Sequence, residues 1–261
     1  MLNIKSIWNI EIRKLLRRKD VWIMLTMLGI PSLYSIGVFF NSSVVVFSGD
    51  EKEYAFSFFV NMFNFVNMIF IYFFILSLIA ARTLGGEIEN KSILLYTQRM
   101  NDRKKIYKAK VLSTIAIFTL MCVVFFIVSI LMFYLFAIHR EDIISSEFII
   151  KDELLTLLLW FLSMYFIYLF TICFSTMLSS FFKTNTAVII FSIVFIIFIF
   201  ISKFPAVKYF SFQYYVSELG EIDFADTSKA LPLFLANLGL VSIYSFICNF
   251  IGIKQFERRD L

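Results

Sequence analysis

Residues 21–49, 54–81, 111–138, 154–182, 184–202 and 230–253 contain no Asp, Glu, Lys or Arg, and the charges are confined to the stretches between them. Each run reaches the roughly 17 to 25 apolar residues that cross about 30 Å of hydrocarbon as a helix, the form that satisfies its own backbone hydrogen bonds in lipid. The pattern predicts an all-α membrane protein of six transmembrane helices, at about 21–41, 56–82, 109–138, 154–181, 185–202 and 231–253. Residues 1–261 then form a single transmembrane domain.

The polar stretches predict further elements. Residues 4–19, IKSIWNIEIRKLLRRK, space Ile4, Ile7, Trp8, Ile12 and Leu15 three and four apart, with Lys5, Arg13, Lys14, Arg17 and Arg18 mostly on other faces. That is an interfacial amphipathic helix suited to the headgroup layer, within an N-terminal segment 1–20. The long charged stretch and the length of the following run, with no small-x-small cleavage site after it, point to a retained first span rather than a signal peptide. Pro31 inside that span predicts a kink. Asn61, Asn64 and Asn67, three apart in the second span, face either another helix, as interhelical hydrogen-bonding groups, or a translocation path that they line.

Residues 83–102 form the largest polar departure after a span. Leu84, Ile88 and Leu95 recur at four and seven, and Glu87, Glu89, Asn90 and Lys91 supply polar surface, which predicts a short amphipathic helix at the membrane surface. Gly85 and Gly86 are placed to bend the chain as it leaves the membrane, and Asn101 or Asp102 to cap a helix running on through RKKIYKAK into span three. Residues 203–230 form a loop dense in aromatics. Tyr209, Phe210, Phe212, Tyr214 and Tyr215 are expected in an interfacial belt.

Composition agrees with the pattern. Hydrophobic residues make up 60% of the chain and Phe alone numbers 35, more than one soluble core of this size could hide. With six spans the termini share a side. The N-terminus, the 82–110 stretch, Lys183 and the tail hold 18 of the 24 basic residues and 7 of the 19 acidic ones. Basic residues mark the cytoplasmic side, so both termini are expected there. The net charge of +5 is thus a topology signature, and no nucleic-acid partner is expected; the lipid bilayer is the expected surrounding.

Little chemistry is written in the chain. Cys122, Cys173 and Cys248 lie in apolar runs, odd in number, and read as packing residues. His139 stands beside Arg140 and Glu141 at a span end, so neither a metal site nor a Ser-His-Asp arrangement is expected. No G-x-x-x-x-G-K-[ST] occurs, so no phosphate-cradling loop is expected. Catalytic, cofactor and metal residues are therefore expected to be none.

The E-x-x-K-L-L-R-R-K stretch from Glu11 to Lys19, the segment GEIENKSILLYTQRMNDRKKIYKAK with Glu87, Arg103 and Lys110, and the terminal FERRD at Phe256–Asp260 together resemble ABC-2 type permeases, the membrane subunits of ATP-driven exporters. The resemblance covers nearly the whole chain, and six spans with inside termini agree with it. The sequence departs from the family pattern at Asn90-Lys91-Ser92 and Met100-Asn101-Asp102, where members often carry Gly-Thr and Pro.

The resemblance implies a coupling helix in 83–102 that docks on an ATPase. Glu87, Ile88, Glu89, Leu94, Leu95 and Arg103 would form the coupling residues, and short helices in 203–230 would cap the exit. It implies two copies of an ABC ATPase subunit carrying ATP and Mg, a second permease copy or sister permease, and a bacterial plasma membrane. It further implies export of an amphipathic or hydrophobic cargo, such as an antimicrobial or toxin peptide, by alternating access. The alternative, a secondary transporter or channel without an ATPase, would be marked by ionisable residues buried in the membrane; the six runs contain none.

Overall fold

The computed structural model describes residues 4–40, 52–99, 102–140, 142–225 and 227–259, with the side chains of residues 4–6 and 99 left aside. Met100, Asn101, Glu141, Asp260 and most of the stretch after the first span lie outside them. Helix α1 (Ile4–Leu16) is followed by a first membrane-length stretch of α2 (Lys19–Met24), a 3-10 turn (Leu25–Leu28) and α3 (Gly29–Phe39). The tight turn lies just before Pro31, where the sequence predicts a kink. Pro31 has no N–H to give and its ring crowds the carbonyl four residues back, at Met27, within that turn.

The second span departs from expectation. Residues 56–82 do not form one helix: α4 (Ala55–Met68) ends at Ile69, which is extended (φ −84°, ψ 97°), and α5 (Phe70–Ala81) starts anew. Three Asn in seven residues and a β-branched Ile lower the helical preference at this place. A π turn (Arg82–Gly86) carries α5 into the single turn α6 (Glu87–Glu89), and α7 (Leu94–Arg99) follows.

Helix α8 (Arg103–Leu135) is 33 residues long, about 50 Å at 1.5 Å per residue. Asp102 caps its start by accepting from the Lys105 N–H at 3.3 Å, as the sequence suggested. Helices α9 (Leu154–Phe181), α10 (Thr184–Ile201), α11 (Phe212–Glu221) and α12 (Thr227–Arg258) complete the bundle. Six helical stretches are long and apolar enough to cross a membrane: Lys19–Phe39, Phe70–Glu89, Arg103–His139, Leu154–Phe181, Thr184–Ile201 and Thr227–Arg258. The protein is a multi-pass membrane protein with an all-helical bundle.

α9 is the central helix, packed on α4, α5, α10, α11 and α12. Phe73 stacks on Tyr168 at 4.2 Å, and Phe170, Phe195 and Phe198 close around Phe212. Phe212 is thus fully buried rather than interfacial, because the first turn of α11 folds back onto α9 and α10. Tyr209 and Phe210 remain exposed. The outer faces of α8, α10 and α12 stay apolar, with Leu120, Ile127, Ile193, Phe200, Phe246 and Phe250 exposed as a lipid solvent requires. Several buried hydroxyls bond their own helix, as Thr114 and Thr171 do to the carbonyls of Lys110 and Ile167, or a neighbour, as Ser175 does to Ser77 at 2.8 Å. The three cysteines are free and buried.

Candidate functional site

The two ends of α8 define two ends of the bundle, here called proximal (Arg103) and distal (Leu135). At the proximal end α1 lies against α8 and buries Ile7, Glu11 and Leu15, spaced four apart on one face. Glu11 therefore enters the core, 1% exposed. It meets Lys110, whose side chain is 0% exposed. Lys110 shares its face of α8 with Ile106, Ser113 and Ile117, all buried, so the phase of the helix carries it inward.

Four charges close into a ring. Lys110 Nζ lies 3.1 Å from Glu11 Oε2 and 2.7 Å from Glu87 Oε2; Lys14 Nζ lies 2.7 Å from Glu87 Oε1 and 3.6 Å from Glu11 Oε1. Each carboxylate thus faces both lysines, and the ring is neutral. Tyr96 covers it: Lys14 donates to Tyr96 Oη at 2.6 Å, and the two ammonium groups stand 4.6 and 5.3 Å from the ring centroid. Burial works against the Lys14 charge, but its bonds to Glu87 and Tyr96 outweigh this and hold the ammonium above the usual lysine range. Burial likewise pushes the Tyr96 phenol up to about 12.

The ring ties α1, the segment after the second span, and α8 together. α6 adds a further tie, since Glu89 accepts the backbone N–H of Thr184 and, at 2.7 Å, its hydroxyl, at the start of α10. Gly85 is buried where an added Cβ would stand 3.0 Å from Thr184 Oγ1 and 3.1 Å from Ser179 Cβ. Its smallness serves close packing on α9 and α10 more than the expected bend. Arg18 pairs with Asp20 and donates to Thr83 at 3.1 Å, tying the start of the first span to the end of the second. An open cavity of about 600 Å³ lies among these elements, with Lys14, Arg17, Arg82, Glu89 and Asn185 on its walls.

Arg103 turns away from this segment and donates to the carbonyls of Glu257 (3.0 Å) and Arg259 (2.7 Å) at the C-terminal end of α12. Arg259 in turn donates to the Ser180 carbonyl at 2.7 Å, at the end of α9. Both place a cation where helix carbonyls lack partners.

Of the other coupling residues named from the sequence, Ile88 and Leu94 are half-buried and Leu95 is 63% exposed. The inward residues are instead Ile93 and Tyr96. The helical phase expected from Leu84 through Leu95 is broken at Lys91, whose φ of 57° is left-handed; the restart at α7 turns Leu95 outward. Glu11, Lys14 and Tyr96 were absent from the sequence-based site. The signals that could have found the ring are Glu11-x-x-Lys14 on one helix face and Lys110 in phase with the apolar face of α8.

The three asparagines do not act alike. Asn61 donates to Glu53 Oε1 at 2.8 Å, Asn64 is half-buried, and Asn67 is buried with no hydrogen-bond partner for its amide among the described residues. None of them lines the apolar groove of about 440 Å³ that opens between α4, α8 and α9. Phe56, Phe59, Phe126, Phe161 and Tyr165 line it, and its Tyr165 hydroxyl lies 2.7 Å from Thr119 Oγ1.

No curated protein and no solved structure matches the chain. A family model described as a protein of unknown function, DUF2705, matches residues 22–261. With nearly its whole length matched, the chain belongs to the DUF2705 family.

Proposed function

We propose that the chain is the membrane-spanning subunit of an ATP-driven exporter. The observation that carries this reading is the proximal hub. One short segment, 87–96, is joined by ion pairs to α1 and α8 and by Glu89 to α10, while Leu95 faces outward. Force applied to that segment from outside the membrane reaches two spans, α8 and α10, through bonds of 2.7 Å. An ATPase subunit gripping Leu95 and the polar surface around it is the partner such a lever fits, and the 18 of 24 basic residues on the side of the hub and both termini support a cytoplasmic orientation for them. Two ATPase copies, carrying ATP and Mg, would act on a pair formed with a second copy or a sister permease.

The cargo that fits is hydrophobic or amphipathic, a peptide of the antimicrobial or toxin kind, because the groove offers five aromatic rings and no charge. A bacterial plasma membrane is the setting implied. The test is purification of the tagged chain from its native membrane in mild detergent. A stoichiometric ATPase subunit should come with it, and Leu95→Asp should release that subunit while leaving the chain inserted. An intact chain that repeatedly purifies alone would overturn the reading. One observation favours transport without an ATPase: Glu53, a buried carboxyl whose side-chain hydrogen bond comes from the neutral Asn61 amide.

A further inference from the structure

Three carboxylates are buried among the described residues, Glu11, Asp20 and Glu53. Glu11 and Asp20 have cationic partners, while Glu53, at the distal end, makes no ion pair among the described residues. Its carboxyl receives one hydrogen bond, from the neutral Asn61 amide. Its backbone is clamped on both sides: Glu53 N–H donates to the Ile143 carbonyl at 3.0 Å and Ser145 N–H donates to the Glu53 carbonyl at 2.9 Å, in a parallel bridge with Ile144. The pairing continues with Phe56 N–H to the Phe148 carbonyl at 3.0 Å. Residues 143–148 therefore lie along the entry to α4, beside the buried Glu53.

Among the described residues, no cation forms an ion pair with it. From α3 the Tyr34 phenol stands near enough to feel the Glu53 charge. From the facing segment, Arg140 holds Asp142 at 2.8 and 2.7 Å, and Glu147 is exposed; Lys52, the preceding residue, is exposed too. His139 lies with its ring against Phe39. A carboxylate held in such a site is costly and a carboxylic acid is not.

We propose that Glu53 is a proton-binding site whose protonation holds residues 143–148 against α4 and whose ionisation releases them. Burial pushes its pKa up to about 7, with the Asn61 bond opposing. Against an ordinary value near 4.5, that weights the closed arrangement by a few hundredfold. The sign follows. The preference for the closed form is complete below about 4.5, where the carboxyl is neutral in both arrangements, and is lost as pH rises through about 7. Because Phe56 is held by Phe148 and also lines the apolar groove, release uncovers one end of that groove.

The test uses the full chain in lipid nanodiscs. The infrared carboxylic acid band, taken as wild type minus Glu53→Gln, should disappear with a midpoint near pH 7, and a spin label at Ser146→Cys should gain mobility with the same midpoint. Glu53→Gln should leave the label immobile across the range. Asn61→Leu removes the one bond that favours ionisation, so its midpoint should move to higher pH; this variant serves equally if Glu53→Gln does not accumulate. A carboxyl already ionised at about pH 5, label mobility indifferent to pH, or a midpoint that falls in Asn61→Leu would each overturn the proposal.

Discussion

Replacing Lys110 by Met isolates the energetic weight of the proximal ring. The substitution keeps length and helical preference but takes the neutral set of Glu11, Lys14, Glu87 and Lys110 to a net charge of about −1. Glu11, with its side chain 2% exposed, loses its partner at 3.1 Å. Lys14 remains, yet it stands 3.6 Å from Glu11 and is 44% exposed, so its compensation is partial. Glu87 keeps Lys14 at 2.7 Å and is the lesser casualty. Stripping one partner from a buried pair costs about 3–5 kcal/mol, and the surviving lysine argues for about 3. At about 2–4 °C per kcal/mol the melting temperature should fall by about 6–12 °C. Size-exclusion chromatography of heated, detergent-solubilised protein reads this directly. The double variant Glu11→Leu with Lys110→Met removes both buried charges and should recover most of the loss, since apolar packing replaces such pairs at little or no cost. A Lys110→Met protein that melts with the wild type, or a double variant no better than the single, would refute the ring as a structural element.

Other positions give sharper contrasts. Gly252→Ala would put a Cβ 2.2 Å from Tyr107 Oη, and this overpacking should cost about 1–3 kcal/mol; Tyr107→Phe removes that buried hydroxyl, which has no hydrogen-bond partner among the described residues, and should restore much of the stability in the double variant by the same thermal assay. Asn67→Leu should stabilise by about 1–3 kcal/mol, since its buried amide forms no hydrogen bond among the described residues; a destabilised Asn67→Leu would point to a partner that the amide does have. Arg259→Ala should free the Ser180 carbonyl and fray the proximal ends of α9 and α12 by about 1 kcal/mol, seen as faster amide exchange confined to those ends.

The spans were legible because lipid imposes a coarse rule, that charge stays out for some twenty residues, and α9 and α10 follow their charge-free runs to within a residue or two. The rule says nothing about phase within a span, so the break at Ile69 was hidden by uninterrupted hydropathy. It also treats any Lys or Glu near a boundary as solvated. Glu11 and Lys110 are 99 residues apart, and only when α1 lies on α8 do two surface-seeming charges become one another's solvent. That meeting changes what the sequence-based site can mean. Glu87 and Arg103, the charges that looked most available for docking, are spent on Lys14, Lys110 and the α12 carbonyls. Glu87→Lys would put a third cation into the ring, so a loss of transport would come with a loss of folded protein and could not separate docking from stability. The outward residue Leu95 can separate them: its side chain is exposed, so an Asp there leaves all four charges of the ring in place. The coupling reading therefore stands or falls on Leu95, and the charges that first drew notice belong to the frame that holds it in place.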